Sequence, residues 1–205
     1  MTITLLLVRH GQTAWNREER FRGRTDLPLN EAGLQQAEAV ACRIAAEYRP
    51  IAVLTSPLQR AIQTAEVIAR PFHLRVQPHE GLLDLDYGDF AGLSPAEAEA
   101  RFPELYRTWL NAPHCVRFPH GESLGDVRAR SESLVHELIE LYPNESVVLV
   151  SHLIVCRVLM CRLLGLHEGY ILRFQVDTAS LTVFEADHER ARLILANDTC
   201  HLKGN

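Results

Sequence analysis

Three short runs constrain the fold of this chain more than anything else in it: ITLLLV at residues 3–8, IAVLT at 51–55 and SVVLVS at 146–151. Each is apolar almost without interruption. An alternating strand has one wet face; a continuous one predicts cover on both faces, the habit of parallel sheets. Parallel neighbours need long crossovers, and the intervening sequence reads as helices. Asn30 caps one that runs to about Tyr48, with Leu34, Ala37, Val40 and Ile44 facing inward. Pro57 suits the first turn of a second, through about Ala69. Ser94-Pro95-Ala96-Glu97 has the spacing of a capping box. Ser123 opens a helix to about Leu141, stopped by Pro143, and residues 153–164 form a buried helix closed by Gly165. Residues 171–176, 180–186 and 191–196 read as strands joined by short turns. The expected class is α/β with a mostly parallel central sheet.

At 205 residues the prior is one domain, residues 1–205, with a small lid-like insert at about 84–122 where Gly, Pro and short helices gather. A hydrophobic fraction of 47% fills a core. The net charge is −5 and the basic residues are scattered, so no nucleic-acid footprint is expected. The opening MTITLLLVRH lacks the basic region and cleavage site of a signal peptide. No stretch approaches the roughly eighteen apolar residues of a membrane span. The five cysteines are widely spread and none forms Cys-x-x-Cys, which fits free thiols in a reducing, cytoplasmic setting and no zinc site. No His-Glu-x-x-His occurs either, so neither metal nor cofactor is expected.

In an α/β sheet, ligands bind beyond the carboxyl ends of the strands. The first apolar run ends in Arg9 and His10. The second is followed by Ser56, Pro57 and, a turn later, Arg60. The third delivers Ser151 and His152. Two guanidiniums and two imidazoles at one edge suit a phosphate monoester. Arginine matches phosphate oxygens with a planar fork of donors that stays charged. Neutral imidazole is a nucleophile towards phosphorus, and neighbouring arginines keep His10 neutral. The second imidazole, protonated, donates to a phosphoryl oxygen as charge spreads. Asn16 and the amides after His10 complete the cradle. Ser151-His152 could be half of a serine triad, but no Gly-x-Ser-x-Gly elbow surrounds that serine.

VRHGQTAWN (8–16) resembles the Arg-His-Gly signature of the histidine phosphatase superfamily, phosphoglycerate mutase-like branch. FRGRTDLPLNEAGLQQA (21–37), SPLQRAIQTAEVIA (56–69), LLDLDYGDFAGLS (82–94), HGESLGDVRAR (120–130) and VVLVSH (147–152) follow in the family's order and cover nearly the whole chain. The resemblance implies a three-layer α/β/α sandwich. It implies His10 as nucleophile, with Arg9, Arg60 and His152 completing the phosphate pocket and Gln12, Thr13, Asn16, Arg22 and Gly23 lining it. The family's general acid is usually a glutamate in the block that begins here at Leu82; this chain has Asp84 in its place. Asp86 stands two residues on, and strand periodicity does not separate the two. The family block favours Asp84. Leu153 replaces the glycine common after the second histidine.

The implied reaction is metal-free hydrolysis of a small phosphorylated metabolite through a phosphohistidine. The compact chain favours a phosphatase over a phosphoglycerate mutase; a catalytically weak binding member is the remaining alternative. APHCVRFPHGESLGDV (112–127) and NDTCHL (197–202) resemble blocks of metal-independent phosphoserine phosphatases. Phosphoserine therefore leads, followed by α-ribazole phosphate or a sugar phosphate. His201 becomes a candidate for a substrate carboxylate, although those enzymes tend to have histidine where Tyr87 stands. Tyr87 is itself a candidate substrate contact. Amphipathic strands near the end suggest a homodimer.

Overall fold

The three apolar runs lie side by side. In the computed structural model, which describes residues 2–18 and 20–203, they are β1 (Ile3–Arg9), β2 (Pro50–Thr55) and β4 (Ser146–Ser151). A short β3 (Val76–Pro78), β5 (Leu181–Ala186) and β6 (Ala191–Asp198) complete one six-stranded sheet of order β3-β2-β4-β1-β5-β6. The pairings from β3 through β2 and β4 to β1 are parallel. β5 and β6 join antiparallel, so the sheet is mixed. The helices are α1 (Ala14–Arg17), α2 (Glu31–Glu47), α3 (Gln59–Ala69), α4 (Pro95–Arg101), α5 (Pro103–Asn111), α6 (Leu124–Leu141) and α7 (Leu153–Leu163).

Alternate residues of β1 explain its unbroken apolarity. Ile3, Leu5 and Leu7 pack with Val147, Leu149 and the inner faces of α6 and α7. Leu6 and Val8 pack with Val53, Val148, Val150 and the inner faces of α2 and α3. Both faces are covered, giving the three-layer sandwich.

The caps follow the sequence. The Asn30 side chain accepts from the Gly33 amide, and Ser94 and Ser123 form capping boxes with Glu97 and Asp126. Other local expectations are corrected. Leu34 is 45% exposed, and Gly33 and Ala41 join Ala37, Val40 and Ile44 on the buried side of α2. Pro57 sits in the bend before α3, which opens at Gln59 with Leu58 as its N-cap. Residues 171–176 are not a strand: a 3-10 helix spans Glu168–Arg173. Beyond it, the carbonyls of Phe174 and Val176 accept from the side chains of Arg157 and Arg9 instead of from a ladder.

Residues 84–122 carry α4, α5 and two 3-10 turns, Gly88–Phe90 and Pro113–Cys115. An aromatic nucleus holds them. Phe118 meets Tyr87, Phe90 and Trp109 with ring centroids 5.0, 5.1 and 5.2 Å away. The two ends of the stretch are tied by Glu122 N–H to Asp86 O at 2.9 Å and Asp89 N–H to Pro119 O at 3.1 Å. Gly88 (φ +49°) lies in this neck, where a Cβ would stand 1.9 Å from Pro119 O, so only glycine fits.

Candidate active site

Strand register brings the two histidines together. β1 and β4 pair in parallel with Arg9 opposite Ser151, so His10 and His152 leave the sheet at one level. The His10 amide donates to Ser151 O at 2.9 Å, and the two imidazole centroids are 5.1 Å apart. β2 ends beside them, with the Ser56 amide on Val150 O at 3.0 Å, and α3 carries Arg60 inward. Ser151 Oγ donates to Leu82 O at 2.8 Å and fastens the 82–86 block to the same edge. Arg130 of α6 holds it from behind, through Asp84 O at 3.1 Å. The outcome is a cluster of Arg9, His10, Arg60, Asp84 and His152, all buried. Burying that many ionisable groups is costly, which marks a functional site.

Hydrogen bonds set each ring's tautomer. His10 Nδ1 lies 2.7 Å from Gly11 O. A carbonyl only accepts, so Nδ1 carries the proton and Nε2 carries the lone pair. His152 Nδ1 lies 3.2 Å from Arg60 Nε, which only donates, so this ring is protonated at Nε2. That Nε2 is buried with no partner. Burial and then the Arg60 charge hold both imidazoles well below the usual histidine range. Both shifts favour the neutral ring, in which His152 presents its Nε2–H as a donor.

The guanidiniums are held with donors to spare. Arg60 spends Nη1 on Thr25 O and Nη2 on Gly23 O, each at 2.8 Å, and meets Asp84 Oδ2 at 3.2 Å. Arg9 Nη1 binds Val176 O at 2.6 Å, while its Nε and that of Arg22 are buried without partners. Burial lowers Arg9 to about 10, with Arg22 adding repulsion. Buried guanidinium donors left without partners are the kind of group that an anion satisfies.

Asp84 and Asp86 part company. Asp84 Oδ2 is 3.7 Å from His152 Nδ1, and Oδ1 accepts from the Leu85 amide at 2.9 Å. Burial pushes its carboxyl up, against the pull of Arg60 and Arg22. Asp86 instead caps the Gly88 turn at 2.9 Å and lies 3.8 Å from Arg24. A cavity of about 200 Å³ reaches the cluster through Arg22 and Asp84, and Tyr87, Trp109, Leu153 and Arg157 also line it. A larger one, about 350 Å³, lies between α6, α7 and the β5–β6 turn and holds none of the expected site residues. Among the described residues, no group of three or more His, Cys, Asp or Glu is placed to hold a metal ion.

The remaining expected residues divide. Gly23 contributes its carbonyl to Arg60 at a φ of +51°, and Tyr87 forms a cavity wall. Thr13 and Asn16 bind each other, with Thr13 Oγ1 and N–H both 2.9 Å from Asn16 Oδ1, and build the first turn of α1. Gln12 Oε1 is taken by Asn30 at 3.0 Å. His201 is corrected. Its Nε2 donates to Ala179 O at 2.9 Å, and it lines a different cleft with Cys42, Arg43 and Cys200.

A family model for the histidine phosphatase superfamily (branch 1) matches residues 5–199. The chain belongs to this superfamily. Phosphoserine phosphatase 1 of Hydrogenobacter thermophilus is 34% identical over 200 residues, covering 98% of this chain and 94% of that protein. The solved structure of Bacillus stearothermophilus YhfR superposes with a TM-score of 0.92 at 29% identity, covering 98% of this chain and 100% of the other. Mycobacterial glucosyl-3-phosphoglycerate phosphatase Rv2419c superposes with a TM-score of 0.88 at 31% identity, covering 97% and 100%. The chain is accordingly a phosphatase of this superfamily.

In this histidine phosphatase, sequence reasoning missed Arg157 and Arg130. Arg157 lines the cavity from α7, four residues after Leu153, so the two share a helix face. That spacing was visible, but its meaning depends on which face the helix turns to the site. Arg130 falls in the HGESLGDVRAR block, with nothing in its spacing to say that it grips the 80–84 backbone.

Proposed function

We propose that this phosphatase hydrolyses a small phosphomonoester through a phosphohistidine at His10, without a metal ion. The observation that carries this reading is the pairing of a free Nε2 lone pair on His10 with an unpartnered Nε2–H on His152, 5.1 Å apart by ring centroid. The nucleophile and a donor for the oxygen it must polarise are thus set by separate hydrogen bonds. Arg9, Arg22 and Arg60 supply the positive charge that Mg²⁺ supplies in other phosphoryl transfers.

In the first displacement, His10 Nε2 forms a bond to phosphorus while the ester P–O bond breaks. Asp84, whose carboxyl pKa burial raises against the pull of Arg60 and Arg22, gives a proton to the leaving oxygen. In the second, Asp84 takes a proton from water, the water oxygen bonds to phosphorus, and the N–P bond breaks to restore His10. The product is inorganic phosphate.

Phosphoserine is the leading substrate. The similarity to the Hydrogenobacter enzyme along nearly the whole chain supports it. So does the cavity: about 200 Å³ suits a leaving group of a few heavy atoms better than a nucleoside-like or glycosyl one. The test is phosphate release in EDTA from phosphoserine, 3-phosphoglycerate, α-ribazole phosphate, sugar phosphates and an aryl phosphate. The expected result is release led by phosphoserine and unaffected by the chelator. Loss of activity in EDTA, or phosphoglycerate interconversion primed by 2,3-bisphosphoglycerate without release, would overturn it.

A further inference from the structure

The cavity beside Asp84 carries more positive charge than a phosphoryl group calls for. Arg20, Arg22 and Arg157 all line it, and among the described residues Asp84 is the single acidic side chain in its wall. Arg20 is already engaged, with Glu18 at 3.0 Å, Glu97 at 3.2 Å and Gly92 O at 2.8 Å. Arg22 belongs with the phosphate clamp: its charge bears on His10, His152 and Asp84.

Arg157 remains. It is half-buried on α7, and its Nε is fixed on Phe174 O at 2.7 Å. That bond orients the guanidinium plane. Among the described residues, Nη1 and Nη2 donate to no protein group, and no carboxylate pairs with them. Its charge bears on Tyr87, the aromatic wall of the cavity. A preorganised fork without an acceptor, at the edge of a small cavity, is a site for a planar anion.

Position identifies which part of the substrate meets it. In the proposed reaction Asp84 touches the leaving oxygen, and Asp84 lines this cavity. The cavity therefore receives the leaving alcohol. We propose that Arg157 is a specificity-determining residue that binds a carboxylate on that alcohol, so that the enzyme prefers phosphate esters of small hydroxy acids. The apolar walls formed by Leu153, Ile154 and Trp109 leave little else for a charged substituent to bind. The inference rests on the reaction proposed above for the placement of the leaving group.

Binding to the His10→Ala protein tests it without turnover. Calorimetry would compare phosphoserine with phosphoethanolamine, and 3-phosphoglycerate with glycerol 3-phosphate; within each pair the carboxylate distinguishes the first from the second. We expect the carboxylate to tighten binding about tenfold in each pair, the worth of one charge-assisted contact. Arg157→Gln in the same background should reduce that preference to about threefold or less. No preference in the His10→Ala protein would overturn the proposal, whether or not the Arg157 variant folds. Equal weakening of both members of a pair by Arg157→Gln would also overturn it, since that marks a residue that only holds the Phe174 segment. Silence in phosphate release together with a surviving binding preference would remove the hydrolytic reading and leave this one standing.

Discussion

His10 gives its Nδ1 proton to the Gly11 carbonyl, and His152 receives the Arg60 Nε–H at its own Nδ1. Those contacts leave a lone pair on one ring and a proton on the other, so neither ring has to change protonation state to bind a phosphate. His10→Ala should abolish phosphate release while circular dichroism and melting stay those of a folded protein; retained turnover would remove His10 as nucleophile. Asp84→Asn should slow alkyl phosphates by roughly 10²–10⁴-fold, the usual worth of a general acid, and an aryl phosphate far less. The pH dependence follows from the same carboxyl. Burial raises it from 3.8, and the first step needs its proton. For an alkyl phosphate, kcat/KM should therefore fall as pH rises through the raised pKa. An aryl phosphate, with its better leaving group, should lack that limb, and so should the Asp84→Asn enzyme. A limb common to both substrates would point to another group. At this scale the sequence was informative where residues stand at strand ends, as Arg9, His10 and His152 do. It could not part Asp84 from Asp86, because a period of two puts both on one face. Their difference is tertiary: Ser151 and Arg130 draw the first inward, while the second is spent on the Gly88 turn.

At the scale of elements, capping residues and apolar runs were legible because their physics is local. Leu34 and residues 171–176 were not. The inner face of α2 is set by close approach to the loop after β1: a Cβ on Gly33 would lie 2.1 Å from Gln12 O. That contact rotates Leu34 outward. The 174–176 carbonyls serve Arg157 and Arg9, a use that no propensity encodes. Gly33→Ala should consequently cost stability and turnover together, since the backbone it displaces follows His10. Gly125→Ala makes the control. It sits in α6 with Ser123 Oγ, 3.6 Å away, as the nearest atom to its added Cβ. It should stabilise the protein by up to about 1 kcal/mol through helix propensity. Denaturant midpoints and kcat on the two variants check this, and equal behaviour would contradict the packing account.

For the molecule as a whole, the site makes folding depend on pH. Both imidazoles are held far below 6.5 by burial, so below that value the unfolded chain binds protons that the folded one refuses. Stability should fall as pH drops from about 6.5, by at most about 1.4 kcal/mol per pH unit for each histidine. Asp84 works in the opposite sense: its raised pKa favours the fold at low pH, and that contribution is lost as pH rises through the folded value. Urea titrations at pH 8, 7 and 6 should show the decline, and His10→Ala should lessen it by one proton. A flat profile would mean that the histidines are not held neutral. The order of the parallel strands was readable only as a class, because register decides which strand ends meet; the pairing of Arg9 with Ser151 is what turns three separate ends into one site. No helix among the described residues is long and apolar enough to cross a membrane.

The central claim is that the phosphoryl group passes through His10. Rapid mixing of the protein with phosphoserine or an aryl phosphate, quenching in alkali and intact-mass measurement would test it most directly. The account predicts a protein heavier by one phosphoryl group, stable in base and lost in acid, that maps to His10 and is absent from His10→Ala. Phosphate release in full burst-resolved turnover with no such adduct, or an adduct on another residue, would contradict it.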